Sequence, residues 1–143
     1  MIEQLINEEL IKYKNDIDNI KDNKVIDCIT IFSKSDEDYL QLNKCLSNNK
    51  IIDEMSSGNL YYLNESIKTL YGDLSFIKVR KHDDNYNDYR ISVDFIVNDY
   101  ESFKNKLANP TIKEYDTFEL IQFKNDNSII NIISLSAKED YKL

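Results

Sequence analysis

The sequence is short of the residues that most often bend, staple or catalyse. Its 143 residues include no tryptophan, one proline, two glycines, one histidine and two cysteines. Two glycines exclude a Gly-rich phosphate cradle and any long glycine loop. A single His82, with Cys28 and Cys45 in no C-x-x-C spacing, excludes the usual zinc patterns. The two cysteines read as reduced thiols that pack as small hydrophobes. No Ser-His-Asp or Cys-His order is assembled around the single histidine. No apolar run approaches the ~20 residues that span a bilayer. The opening MIEQLINEELIKYK mixes acids with its apolar residues and has no signal-peptide h-region. A cytoplasmic protein with no membrane partner is therefore expected. Basic residues are in deficit too, 18 Lys and Arg against 26 Asp and Glu, for a formal charge of −8. Such a surface repels phosphate backbones, so no nucleic-acid partner is expected.

What remains is the composition of a folded globule. Hydrophobic residues make up 41% and charged residues 31%, and a chain of this length is expected to form one domain, residues 1–143, with a sizeable core. Residues 1–22 read as an N-terminal helix. Ile2, Leu5, Ile6, Leu10, Tyr13, Ile17 and Ile20 recur at three- and four-residue steps, giving one apolar stripe. That stripe is expected either to pack on the rest of the chain or to form a homodimer contact.

The rest is organised around a pattern that occurs twice. At Val25–Leu46, VIDCITIFSKSDEDYLQLNKCL, an apolar strand runs into an acidic cap and an amphipathic helix; at Tyr89–Leu107, YRISVDFIVNDYESFKNKL, the same happens again. The pairs Asp38-Tyr39 and Asp99-Tyr100 mark the two helix openings, where carboxylates complement the free N–H groups and the positive end of the helix. Short strands follow each helix. In the first half they are Lys50–Met55, Asn59–Leu63 and Leu74–Lys81, with a loose connection over 64–73. In the second they are Thr111–Glu114, Thr117–Lys124 and Ser128–Ser136, with a polar tail from Ala137 expected to fray. The polar stretch 82–88, HDDNYND, is the internal boundary. The predicted fold class is α+β: two βαβββ units, 25–81 and 89–136, forming curved, mostly antiparallel sheets around a cleft, with the N-terminal helix additional. A ferredoxin-like barrel of other topology is the alternative.

Paired βαβββ units resemble the vicinal oxygen chelate superfamily, which includes glyoxalases, bleomycin-resistance proteins and extradiol dioxygenases. The resemblance covers about residues 25–136. VIDCITIFS is similar to the family's opening strand, which often reads Asp-His-hydrophobic; VDFIV is similar to the second opening strand, and KNDNSIINIISL to the closing hairpin. It implies a cleft between the units and, in metal-dependent members, a cation held by a His on each opening strand and a Glu on each closing strand. Here the best-matching opening positions carry Cys28 and Phe95, and the closing strands contain no Asp or Glu. No metal and no cofactor are therefore expected.

The candidate site follows from strand alternation. Ile91, Val93, Phe95 and Val97 form an apolar face for a helix, which turns Asp94 the other way, toward the implied cleft. A carboxylate there requires pairing or solvation. Arg90 on the same strand and Arg80 on a strand of the other unit are the expected polar handles. Among the strand aromatics Tyr61, Tyr62, Tyr71, Phe76, Phe118 and Phe123, Tyr62 and Phe76 are the ones expected to line an aromatic wall. Ligand-binding candidates are thus Asp94, Arg90, Arg80, Tyr62 and Phe76, for a small organic ligand, with no catalytic residue assigned. Two alternatives stay open: an enzyme with an unorthodox set such as Asp27, Asp94 and His82, and an interaction module dimerising through the N-terminal helix.

Overall fold

A computed structural model describes residues 1–143. The chain is α+β, with one eight-stranded mixed, curved, open sheet and four α-helices. It begins with α1 (Ile2–Asn19), followed by β1 (Lys24–Phe32), α2 (Asp36–Cys45), β2 (Lys50–Met55), β3 (Gly58–Thr69) and β4 (Gly72–Arg80). A 3₁₀ turn at Asp84–Tyr86 leads to β5 (Ile91–Val97), α3 (Tyr100–Asn105), β6 (Thr111–Glu114), β7 (Glu119–Lys124), β8 (Ile129–Ile133) and α4 (Ala137–Asp140).

The strand order is β2-β3-β4-β1-β5-β8-β7-β6. The first four strands fill one half of the sheet and the last four the other. The halves join where β1 and β5 run antiparallel, with Ile29 opposite Val93 and Ile31 opposite Ile91. On either side of that seam lies a parallel pair, β1 with β4 and β5 with β8; the other pairings are antiparallel.

Both strand-to-helix junctions are closed by side chains, as the acidic caps predict. Ser35 Oγ accepts from the Asp38 N–H at 3.0 Å, and Asp99 Oδ1 accepts from the Ser102 N–H at 3.0 Å. Each cap satisfies a donor that the first helical turn leaves free. α1, α2 and α3 cover one face of the sheet. Their apolar residues, including Ile6, Leu10, Ile17, Leu42 and Phe103, merge with Ile29, Ile31, Ile77, Ile91, Val93 and Phe95 into one core. The N-terminal stripe is thus buried within the chain itself. Tyr13 closes it, donating its hydroxyl to the Ile91 carbonyl at 2.6 Å. The opposite face of the sheet is the concave one, and α4 packs at one end of it through Ala137 and Tyr141, against Cys28, Leu60 and Phe76.

Three expectations are corrected. Asn64–Thr69 is not a loose connection: β3 continues through it, across a register shift that separates Tyr62↔Phe76 from Ile67↔Leu74. Ile67 is the one apolar residue in that run, so alternation could not reveal it. α3 is short: the helix expected to run to about Ala108, up to the Asn109-Pro110 stop, already ends at Asn105. The tail does not fray: α4 is capped by Ser136, whose hydroxyl accepts from the Glu139 N–H at 3.1 Å. No helix is long and apolar enough to cross a membrane.

Candidate functional site

The concave face holds a cleft of about 920 Å³, contributed to by both halves of the sheet, the β6–β7 loop and α4. Strand register sets its floor. Cys28, Asp94, Asn131 and Gln122 form one row across β1, β5, β8 and β7, and Phe76 on β4 continues the row outside the cleft lining. Two residues along the strands, Lys78, Thr30 and Ser92 form the next row. Beyond it Arg80 lies beside Phe32.

β1 carries a bulge between Ile26 and Cys28. Strict alternation would send Asp27 to the helix-covered face. The extra residue instead lets Asp27 and Cys28 share the cleft side, while Ile26 and Ile29 both enter the core. Bulges re-aim side chains in this way. Asp27 there accepts the Ala137 N–H at 3.0 Å, joining β1 to α4.

The floor is electrostatically ordered. Asn131 Nδ2 donates to Asp94 Oδ1 at 2.9 Å, and Gln122 Nε2 donates to Asn131 Oδ1 at 3.2 Å. The carboxylate dictates the direction of this relay, because it can only accept when ionised. Burial pushes the Asp94 carboxyl up to about 6; the Asn131 hydrogen bond opposes this and the charge of Asp27 adds to it. Asp27 is likewise pushed up to about 6, chiefly by burial. The Cys28 thiol is raised well above its ordinary value by burial and then by these two carboxylates, so it stays protonated and inert. Lys78 is lowered, by burial first and then by Arg80. Its ammonium donates to Ser57 Oγ at 2.7 Å and lies 3.3 Å from Met55 Sδ.

Aromatic rings form the walls. Phe32 and Tyr86 stack with centroids 4.6 Å apart, and the Arg80 guanidinium sits 4.5 Å over the Tyr86 ring. On the β6–β7 loop Tyr115 and Phe118 stack at 4.9 Å. Tyr115 is close enough to Asp94 and Arg80 to feel their charges. At the α4 end, the Tyr141 hydroxyl donates to Asp53 Oδ2 at 2.6 Å.

The residues singled out in the sequence separate into three groups. Asp94 and Arg80 line the cleft. Tyr62 and Phe76 stack on each other at 5.0 Å, beside the floor rather than in the lining, and Phe76 is buried with Cys28 and Leu60. Arg90 turns away: its guanidinium bonds Asp38 at 2.6 Å and the Phe32 carbonyl at 3.0 Å, outside the cleft. His82 is also outside, against Asn87 at 3.1 Å and Asp84 at 3.5 Å. The β5 residue that faces Cys28 is Asp94, not Phe95, which is fully buried on the helix side with Tyr71 edge-on at 5.4 Å. Sequence reasoning missed Lys78, Asn131 and Gln122. Lys78 alternates with Ile77 and Val79, a signal that was present; Asn131 interrupts the apolar run Ile129–Ile133 as Asp94 interrupts β5.

No three His, Cys, Asp or Glu side chains converge to hold a metal ion, and the four strands nearest the seam instead offer Asp27 and Cys28, Lys78, Asp94 and Asn131 to the cleft.

No family model matches the sequence, and no curated protein matches it. A solved structure described as structural-genomics protein EC4020 is similar over 97% of this chain and 91% of its own, with a TM-score of 0.68 and 11% sequence identity. That likeness supports the α+β fold and carries no function.

Proposed function

We propose that this chain is a small-molecule-binding protein of vicinal oxygen chelate type, built as two βαβββ units and working without a metal. The element order β1-α2-β2-β3-β4 followed by β5-α3-β6-β7-β8, each with its first strand beside its last, supports the duplication. The observation that carries the binding reading is the polar relay Asp94–Asn131–Gln122 on the floor of an otherwise aromatic-walled cleft. Pockets of this kind fix a ligand by a few placed polar groups and hold it by apolar contact. Asp94, Asp27, Lys78 and Arg80 are the polar handles. A thermal-shift screen of small organic compounds tests the reading. Hits should stabilise the wild type and lose most of their effect in Asp94→Ala, while Arg90→Ala should keep it. Hits that stabilise Asp94→Ala as fully as the wild type would place binding elsewhere.

A second reading, an acid/base enzyme, draws on Asp27 and Asp94, two cleft carboxyls that titrate near neutrality. It does not include His82. Turnover of a bound compound, abolished in both Asp27→Asn and Asp94→Asn, is its test. A dimer through the stripe of α1 is the weakest alternative, since Ile2, Ile6, Leu10, Tyr13 and Ile17 are already buried in the core.

A further inference from the structure

The cleft is lined by an anion and a cation that do not pair with each other. Lys78 on β4 and Asp94 on β5 are separated by β1 in the sheet and by one step of side-chain alternation along the strands. Each senses the other's charge, yet neither takes part in any ion pair of the chain. Lys78 is turned to Ser57 and Met55, and Asp94 receives one amide hydrogen bond from Asn131. Opposite charges left apart in a partly desolvated cleft are poorly compensated, and each keeps capacity for an outside partner.

The groups around each charge extend the same division. Beside Asp94 lies Asp27, whose Oδ2 accepts the Ala137 N–H while no basic side chain reaches it. The direction of the relay leaves Gln122 Oε1 unused, because Gln122 gives its Nε2 to Asn131. This row therefore offers acceptors: two carboxylates and a carboxamide oxygen. In the neighbouring row Lys78 shares its register with Thr30 and Ser92, and all three line the cleft. No hydrogen bond within the chain engages either hydroxyl. This row offers donors. Rows one alternation step apart on a strand are separated by about 6.5 Å. The stacked pairs Phe32–Tyr86 and Tyr115–Phe118 line the same cleft and suit a flat ring.

Resting on the small-molecule reading above, we infer that the ligand is a small zwitterion, with a protonated amine seated on the Asp94–Asp27 row and a carboxylate on the Lys78–Thr30–Ser92 row, and with a flat apolar body between them. The ligand completes two charge pairs that the protein leaves open. A singly charged compound completes only one, and leaves the other charge desolvated and unpartnered.

Three compounds of one shape test this on the full chain: para-aminomethylbenzoate, which carries both charges about one ring apart, benzylamine, which has only the amine, and para-toluate, which has only the carboxylate. Binding is read from the side-chain amide signals of Asn131 and Gln122 by NMR titration. The expected result is that para-aminomethylbenzoate binds at least tenfold more tightly than either relative. Asp94→Asn should lower its affinity about tenfold and leave para-toluate unchanged, and Lys78→Met should do the reverse with benzylamine, with Lys78→Arg restoring the preference. The wild-type comparison of the three compounds stands by itself should a variant fold poorly. Equal affinity for a singly charged relative overturns the zwitterion and leaves the cleft reading intact. If none of the three moves those amides, the zwitterion assignment falls; if a mixture of neutral aromatic fragments also leaves them unmoved, the cleft reading falls with it.

Discussion

Arg90 at the start of β5 and Asp38 in the first turn of α2 form a two-pronged ion pair, Nη1–Oδ2 at 2.6 Å and Nη2–Oδ1 at 3.3 Å. The same guanidinium also bonds the Phe32 carbonyl, so one side chain ties both central strands to the helix that follows β1. Burial pushes the Asp38 carboxyl up, but Arg90 and the Lys34 N–H outweigh it and hold the group below its ordinary value. Both side chains are only about one-fifth exposed, 20% and 23%, so this pair is worth more than a surface ion pair. Arg90→Ala should cost about 2 kcal/mol in urea unfolding and leave the affinity of any cleft ligand unchanged. A variant of wild-type stability that loses the ligand would return Arg90 to the binding site.

The two cleft carboxyls give a pH signature of unusual sign. Asp94 and Asp27 hold their protons more tightly when folded, at about 6, than at the ordinary 3.8. The native state thus binds more protons than the unfolded chain between those values, and stability falls as pH rises through that window. Below it the penalty is absent; above it the penalty is constant. Asp94→Asn keeps an acceptor for Asn131 and removes the charge. Its stability gain over wild type should be near zero at about pH 4 and reach, as an upper bound, about 3 kcal/mol above about pH 7. Comparing the two proteins by denaturant titration at both pH values cancels the lowered carboxyls elsewhere, such as Asp38 and Glu119. A gain equal at both values would mean that burial of Asp94 is not what matters.

Gly58 and Gly72 open β3 and β4 with φ of +148° and +113°, and they should not tolerate alanine equally. A Cβ on Gly58 would lie 1.9 Å from the Val79 carbonyl oxygen, a backbone atom of β4 that cannot swing away. At Gly72 the nearest atom is a Val25 methyl at 3.1 Å, which can shift. Both variants carry the strain of a positive φ, about 1–3 kcal/mol. Gly58→Ala should lose clearly more than Gly72→Ala in thermal melts, and the reverse order would contradict this packing of the β2–β3 hairpin.

The C-terminal turn is held by two contacts with the cleft, the Ala137 N–H to Asp27 and the Tyr141 hydroxyl to Asp53. Tyr141→Phe removes one charge-assisted bond, about 1.5 kcal/mol. That corresponds to roughly tenfold faster exchange of the Ala137 amide hydrogen if α4 opens as a local unit. Unchanged exchange would show that the apolar contacts of Ala137 and Tyr141 alone keep the turn in place.

Where hydrophobic patterning was strong, the fold was legible from the residues. The α1 stripe, the alternation in β5 and the acidic caps of α2 and α3 depend on local sequence, and each is found where the pattern puts it. Asp94 was legible for the same reason, since a charge in an apolar strand has few exits. What escaped depends on pairing between distant segments. The β3 extension over Asn64–Thr69 exists because the start of β4 is beside it. Arg90 leaves the face that alternation assigns it because Asp38, 52 residues away in sequence, captures it. The β5 residue that reaches the cleft is Asp94 and not its neighbour Phe95, because one step along a strand exchanges a core side chain for a cleft one.

The bulge in β1 gives the cleft an unusual kind of independence from the scaffold. Asp27 is the surplus residue of that strand, so removing it would restore plain alternation, with Ile26 and Ile29 still in the core and Cys28 still on the floor. A one-residue deletion inside a central strand ordinarily turns every following side chain over. Here it would delete a charge and spare the register. One of the cleft's acidic groups can therefore be gained or lost by insertion and deletion, without the fold having to be rebuilt around the change.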